Sequence, residues 1–161
     1  PRAALGDLGP QVFTFGGKPG FREDWTCRND RGEDLAVSVW HGEMPCRGVA
    51  LFVHDVLGSR AAALEVLAPL LATGCSVAAL DCSGCGASQG RVVTLGYFER
   101  YDVASAAVAL RERYGVGGPG EPPLIVVGRG AWSVFQRWSK WVQGITTRAL
   151  EAQSPKFIAG D

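Results

Sequence analysis

The sequence has no excess of charge of either sign and no long hydrophobic run. Its 161 residues include 16 basic and 16 acidic side chains, which gives a formal net charge of +0 at neutral pH. A balanced charge does not attract nucleic acid or an anionic membrane, so no nucleic-acid partner is expected. No apolar run approaches transmembrane length, and residues 1–10 have no apolar signal-peptide core. Because the chain begins at Pro1 rather than Met, this last absence says little about targeting.

Cysteine is scarce, and its spacing shows no disulfide framework. The odd number of five suits a reducing compartment, so we expect a cytoplasmic protein. Two of them, Cys82 and Cys85, have the spacing of a zinc or redox pair, but no second ligand pair exists in the chain. We therefore expect no metal site and no cofactor. The five positions are Cys27, Cys46, Cys75, Cys82 and Cys85.

What the sequence does contain is an alternation of strand and helix patterns. Three continuous apolar runs, at residues 48–54, 76–80 and 124–127, have the length of buried strands. Between them, residues 59–74 and 96–114 carry apolar side chains at helical spacing and stop at glycine. Continuous apolar strands that alternate with helices indicate an α/β fold, with a parallel sheet covered on both faces.

Four ordered segments carry motifs. Residues 54–60 follow the first strand and read His-Asp-Val-Leu-Gly-Ser-Arg, and residues 81–90 follow the second and fit Asp-x-Ser-Gly-x-Gly-x-Ser-x-Gly. Residues 93–99 lead into the second helix, and a Gly-Arg pair ends the third strand at residues 128–129. This order resembles the α/β-hydrolase superfamily, specifically its serine aminopeptidase-like (prolyl-oligopeptidase-type) branch.

The resemblance implies the N-terminal half of an α/β-hydrolase fold, with a mostly parallel sheet and helices on both faces. It covers residues 24–129, which we expect to form a partial α/β-hydrolase domain after an N-terminal extension at 1–23. Intact members of the family hydrolyse esters or peptides. The resemblance also implies that six residues shape the loops at the strand ends, namely His54, Asp81, Gly84, Gly86, Ser88 and Gly90.

The chain departs from the family at the positions that carry catalysis. Acyl transfer needs a nucleophile, a histidine that takes its proton, and an acid that orients the histidine. The resemblance places the nucleophile at Gly130, which has no side chain to attack with. Ser133 lacks the flanking glycines of a nucleophile elbow, and neither His41 nor His54 matches the family base. We therefore expect no catalytic residue and no activity in the chain as given.

The implied oxyanion site is altered as well. In this family its donors are the backbone N–H after the nucleophile, here Ala131, and one from the loop that follows His54. The relevant loop positions are Asp55 and Val56, and Asp55 stands where the family has glycine. A carboxylate there would face the place where negative charge must develop. Loss of one such donor slows acyl-transfer enzymes by roughly 10²-fold.

Residues 130–161 differ in composition from the rest of the chain. Trp132, Trp138 and Trp141 lie within ten residues, where the family has small residues for close packing. We interpret 130–161 as a divergent tail of unrelated sequence, such as an unspliced intron or a frameshift would leave. A tryptophan-rich segment that binds a partner or a membrane surface is the alternative.

Three functional hypotheses follow. The first is a truncated and inactive α/β-hydrolase relative, and the second is a non-catalytic pseudo-hydrolase that serves as an interaction module. The third and weakest is a nucleotide-binding domain, because Gly84 and Gly86 follow a strand but Gln89 stands where a third glycine is needed.

The third predicted strand is expected to lie at an exposed edge of the sheet. In the family it is flanked by the strand that ends at His54 and by later strands, which we do not find in this chain. Its residues are apolar and uncharged, whereas natural edge strands carry a lysine, a proline or a bulge. We therefore expect self-association through Leu124, Ile125, Val126 and Val127.

Overall fold

A seven-stranded sheet forms the centre of the molecule. The computed structural model describes residues 5–42, 44–56, 58–128 and 157–159. The predictions for Gly130, Ala131 and the tryptophan-rich segment lie outside the described residues. The strands are β1 Val12–Phe15, β2 Lys18–Arg28, β3 Asp34–His41, β4 Val49–Val53, β5 Ser76–Leu80, β6 Leu124–Gly128 and β7 Phe157–Ala159. They lie side by side in the order β1-β2-β3-β5-β4-β6-β7.

Five of the seven strands run in one direction, which confirms the mostly parallel sheet that we predicted. β4 pairs in parallel with β5 and β6, and β6 pairs in parallel with β7. The pairs β1–β2, β2–β3 and β3–β5 are antiparallel, so β1 and β3 are the two reversed strands. The three strands expected from the apolar runs are β4, β5 and β6.

Two α-helices connect the strands, as predicted. α1 (Leu64–Ala72) follows a 3₁₀ helix at Arg60–Ala63, in which the Ser59 hydroxyl accepts a hydrogen bond from the Ala61 N–H at 3.4 Å. α2 (Glu99–Tyr114) ends at Gly115, whose φ of 61° is left-handed. No helix in the described ranges combines the length and apolar character needed to cross a membrane.

Alternate residues of the central strands point to opposite faces of the sheet, which creates two apolar layers. Leu51 of β4 packs in the layer that contains Val103 and Leu110 of α2. The next residue, Phe52, packs in the layer that contains Leu67 of α1. The helices therefore cover both faces, as predicted. Full burial of one such side chain contributes about 1.5 to 3 kcal/mol to the free energy of unfolding. The two layers therefore hold the strands, and with them the strand ends from which the loops emerge, in place.

The N-terminal strands extend the same sheet. β1 and β2 form a hairpin, and β2 pairs with β3 from Phe21 to Arg28. The boundary between residues 23 and 24 that the resemblance suggested falls inside β2. The division of the chain into an extension, a partial domain and a tail stays a prediction.

The expectation that residues 124–127 form a sheet edge is wrong. β6 has β4 on one side, as predicted, but β7 pairs with it on the other, with Val126 opposite Phe157. Three residues in a polar, proline-containing stretch show no periodicity, so the sequence does not predict β7. Of the described strands, β1 lies at the opposite edge. Self-association through residues 124–127 stays a prediction without its original premise.

Candidate functional site

Three loops leave the same edge of the sheet. Val53 of β4 lies opposite Leu80 of β5 and Gly128 of β6, so these three parallel strands end together. The carboxyl ends of parallel strands are where α/β proteins bind ligands. The structure thus brings His54 and Asp81, each the first residue after its strand, to one site beside the end of β6.

His54 joins the first two of these loops. Its Nδ1 lies 2.6 Å from the Asp55 carbonyl oxygen, and the Cys82 N–H donates to its Nε2 at 3.0 Å. A backbone N–H can only donate, so Nε2 carries no proton and Nδ1 donates to the carbonyl. Because the buried ring has both nitrogens engaged, His54 positions a loop and has no free nitrogen for a substrate.

Asp55 engages the backbone donor that the sequence assigned to the oxyanion site. The Val56 N–H donates to Asp55 Oδ1 at 2.6 Å, and the Gly58 N–H donates to the Asp55 carbonyl oxygen at 2.8 Å. The Asp55 side chain is exposed. The Val56 N–H is therefore already paired with a carboxylate, and the charge of that carboxylate lies in this loop.

Asp81 is the fixed point between the two loops. Its buried carboxylate accepts hydrogen bonds from the Arg60 N–H at 2.6 Å and the Ala87 N–H at 2.8 Å, and it pairs with the Arg60 guanidinium. Ser88 Oγ donates to the Asp81 carbonyl oxygen and accepts from the Ala36 N–H at 2.8 Å. A single buried carboxylate thus links residues 54–60 to residues 81–90, as a loop-shaping role requires.

Gly86 is required by close packing against this carboxylate. Gly84, Gly86 and Gly90 all have positive φ, as expected for the glycine positions of the motif. At Gly86, however, an added Cβ would lie 2.0 Å from Asp81 Oδ2, far inside van der Waals contact. Any side chain there would displace Asp81 or the loop.

A second buried cluster, which the sequence analysis missed, holds the other side of the loop. Asp102 of α2 accepts hydrogen bonds from Asn29 at 2.8 Å, from Arg31 at 2.7 Å and from the Ser83 N–H at 2.9 Å. Ser83 Oγ donates to Glu33 at 2.9 Å. Several hydrogen bonds lower the pKa of Glu33, and the one from Asn29 has the largest effect. Burial acts to raise this pKa, but the hydrogen bonds outweigh it. An acid in the apolar face of a predicted helix was the available signal for this cluster.

Polar contacts continue from Arg60 across the sheet. Arg60 Nε donates to Ser38 Oγ at 2.9 Å, and Ser38 Oγ donates to Asp24 Oδ1 at 2.6 Å. Asp24 is paired with Arg22 at 3.1 Å. Arg22 and Arg60 are both buried, and each faces a carboxylate. No local sequence pattern predicts these contacts, because they join positions on β2, β3 and the 3₁₀ helix.

The segment before α2 is held by Glu99. Its carboxylate accepts hydrogen bonds from the Thr94 N–H at 2.6 Å, from Thr94 Oγ1 at 2.7 Å and from the Gly96 N–H at 2.8 Å. Burial acts to raise the pKa of Glu99, but these bonds together lower it. They hold residues 94–96 in a turn, which explains why α2 begins at Glu99 rather than at residue 96.

Comparison with solved structures decides the fold. A thermostable carboxyl esterase from Bacillus coagulans matches with a TM-score of 0.61 and 14% identity, over 86% of this chain and 43% of its own. An α/β serine hydrolase without a lid from Xanthomonas campestris matches with a TM-score of 0.60 and 20% identity, over 94% and 63%. The chain has an α/β-hydrolase fold. An esterase from Pyrococcus furiosus matches with a TM-score of 0.56 and 21% identity, over 81% and 47%.

These comparisons confirm the predicted fold class but not the branch. The chain spans about half the length of the Pyrococcus furiosus esterase structures that it matches. The sequence matches no protein-family profile and no curated protein. At identities this low, the likeness shows the fold and leaves the activity open.

The two cysteines of the loop are buried thiols within this α/β-hydrolase fold. Cys82 lies in the apolar layer beneath α2, and burial raises its pKa well above the usual value. Burial also raises the pKa of Cys85. All five cysteines are free. In the described ranges, no three His, Cys, Asp or Glu residues form a group that could hold a metal ion.

A Ser–His–Glu arrangement occurs elsewhere in the fold. Ser76 Oγ lies 2.9 Å from His41 Nδ1, and His41 Nε2 lies 3.6 Å from Glu23 Oε1. Ser76 and His41 are 0% and 1% exposed, so no substrate can reach the hydroxyl. Ser76 is also the first residue of β5, at the opposite end from the candidate site. His41 is the last residue of β3, and burial lowers its pKa.

Proposed function

We propose that this α/β-hydrolase-fold chain does not hydrolyse esters or peptides by itself. The observation that carries the proposal is the hydrogen bond from the Val56 N–H to the Asp55 carboxylate. Ester and peptide hydrolysis places negative charge on the substrate oxygen, which such a donor must stabilise. Two negative charges about 4 Å apart repel by about 1 kcal/mol in water and about 4 kcal/mol at an effective dielectric constant of 20. The loop therefore opposes the charge that a hydrolase must stabilise.

The lack of a usable base supports the same proposal. His54 has both ring nitrogens engaged, and His41 lies at the other end of β5 from the candidate site. The sequence places Gly130 at the nucleophile position, so the proposed inactivity does not depend on the loop alone. We also propose that His54, Asp81, Gly84, Gly86, Ser88 and Gly90 shape the loops and take no part in a reaction.

The test is chemical labelling of the purified chain. We expect no covalent reaction with a fluorophosphonate probe, and no hydrolysis of p-nitrophenyl acetate above that of heat-denatured protein. The variants Asp55→Gly, Gly130→Ser and the double variant should remain inactive, because an unactivated hydroxyl without a base is a poor nucleophile. Covalent labelling of the unmodified chain at Ser133, or esterase activity that the denatured control lacks, would contradict the proposal.

Finer assignments rest on the sequence. The four ordered motifs favour the serine aminopeptidase-like branch, whose intact members act on esters or peptides, and the five free cysteines favour a cytoplasmic location. Transcript sequencing across the codons for residues 127–133 tests the assignment of Gly130. A spliced message that encodes Gly-Arg-Ser-Met-Gly there would show that the chain as given is not the active form.

A further inference from the structure

One edge of the sheet is only partly covered. β1 pairs with the first four residues of β2, and none of the described strands continues along this side. The Arg22 N–H points to this side, since it donates to the Gln11 carbonyl oxygen at 2.7 Å. In an antiparallel pair this direction recurs every second residue. The N–H groups of Asp24, Thr26 and Arg28 therefore face outward, where an added strand would need donors.

A groove runs between this edge and α2. Its volume is about 590 Å³, and small side chains on one face of the helix leave room in it. Val108 lies in this face and is 50% exposed, which is high for a valine beside a cavity. An edge strand beside a helix is an arrangement in which extended peptides bind by strand addition. The residues that matter here are Cys27, Asn29, Ala104, Ser105, Val108 and Ala109.

The charge that remains at the groove is negative. Arg28 also lines the groove, but it is paired with Asp34 at 3.0 Å. Two carboxylates, those of Asp30 and Glu112, also line the groove. Asp30 forms an ion pair with Arg31 at 3.6 Å, whereas Glu112 is exposed on α2. A basic ligand complements this rim. A second copy of the chain would bring the same carboxylates, which disfavours self-pairing at this groove.

We propose that this groove binds an extended segment of a partner protein. The segment adds to β2 as a strand, places an apolar side chain against Val108, and places a lysine or arginine beside Glu112. Its backbone carbonyl groups accept from the outward N–H groups near Thr26. The proposal does not rest on the absence of hydrolase activity, because Thr26 lies on β2 and Val108 and Glu112 lie on α2, outside the loops at residues 54–60 and 81–90.

The test uses two fluorescein-labelled octapeptides and the full chain. Both alternate valine with threonine; one carries arginine at a central valine position and the other carries glutamate there. By fluorescence anisotropy, we expect the arginine peptide to bind at least about threefold more tightly, as for one exposed ion pair. Glu112→Lys should reverse this preference. Glu65→Lys makes the same charge change on α1, across the sheet, and should change neither affinity.

A proline substitution tests strand addition directly. Thr26→Pro removes one outward N–H at an edge position, which tolerates proline. We expect about fivefold weaker binding of the arginine peptide, as for the loss of one hydrogen bond. If Thr26→Pro does not give a cooperative melt, Val108→Arg, which fills the groove from an exposed helix position, replaces it and should abolish binding.

Four results would overturn the proposal. The first is failure of both peptides to bind at about 1 mM, and the second is equal affinity of the two peptides. The third is a folded Thr26→Pro or Val108→Arg variant that binds like the unmodified chain. A concentration-dependent dimer that Thr26→Pro dissociates would also overturn it, because the groove would then serve a second copy.

Discussion

Gly86→Ala should destabilise the protein much more than its backbone conformation alone explains. The added Cβ would lie 2.0 Å from Asp81 Oδ2 and 2.1 Å from Asp81 Cγ. Asp81 cannot simply rotate away, because its carboxylate accepts from two backbone N–H groups and pairs with Arg60. Both members of this pair are buried, so displacement would leave a buried charge without its partner.

The magnitude follows from comparison with a matched glycine. Gly115 has a similar left-handed conformation, with φ of 61° against 48° at Gly86, and an added Cβ there meets nothing within 4 Å. Gly115→Ala should therefore show the conformational effect alone, about 1 to 2 kcal/mol. Gly86→Ala adds disruption of a buried ion pair, which costs about 3 to 5 kcal/mol when one partner is lost. We expect the difference between the two variants to be at least about 2 kcal/mol.

Urea unfolding followed by tryptophan fluorescence and circular dichroism measures both free energies. In an Asp81→Ala background the clash is gone, so Gly86→Ala should then cost no more than Gly115→Ala. The double-mutant cycle isolates the contact between the two positions. Equal destabilisation by Gly86→Ala and Gly115→Ala in the unmodified background would refute the proposed packing of this loop.

Three further predictions concern buried groups. Asp102→Ala should destabilise by about 3 kcal/mol, since it removes the buried acceptor that Asn29, Arg31 and the Ser83 N–H share, whereas Glu112→Ala on the same helix should cost less than about 0.5 kcal/mol in urea unfolding. Burial lowers the pKa of His41, so the free energy of unfolding should decrease as pH falls below 6.5, and His41→Gln should lessen this decrease; an unchanged pH profile would contradict it. Burial raises the pKa of Cys27 from 9.0 to about 11, so its thiolate fraction at pH 8 should be about a hundredfold lower than that of a model thiol. Iodoacetamide should therefore alkylate Cys27 correspondingly more slowly, which mass spectrometry of the alkylated peptide measures.

The parallel centre of the fold was predictable because its signals are local. β4, β5 and β6 are continuous apolar runs, and α2 ends at Gly115 as its pattern indicates. The start of α2 was predicted three residues too early, at residue 96. The Glu99 carboxylate accepts from the backbone N–H groups of Thr94 and Gly96, and hydrophobic periodicity does not reveal such a contact. β7 was missed because it is held by its pairing with β6 and has no pattern of its own.

The candidate site was predictable only where a motif existed. The motif identified Asp81 and Gly86 as loop-shaping positions, and the structure shows that they contact each other. It gave no sign that Asp102 would bind Asn29, because these residues are 73 positions apart and only the fold brings them together. The sequence predicted that the charge of Asp55 would oppose an oxyanion, and this stays a prediction. The structure adds a contact that the sequence does not show, in which the Asp55 carboxylate accepts from the neighbouring Val56 N–H.

Three of the residues that carry the family resemblance have contacts or close packing that order the described loops. His54 ties residue 82 to the first loop, Asp81 ties Arg60 to the second, and Gly86 leaves space for that carboxylate. These contacts stabilise the loops whether or not a nucleophile stands at the end of β6. A chain can therefore keep the motifs for folding after the chemistry is lost, so the motifs predict the fold and carry no information on activity. The resemblance assigns activity instead to positions 55 and 130, where this chain has Asp and Gly, and this is why the labelling experiment, rather than a further match to the motifs, tests the proposed function.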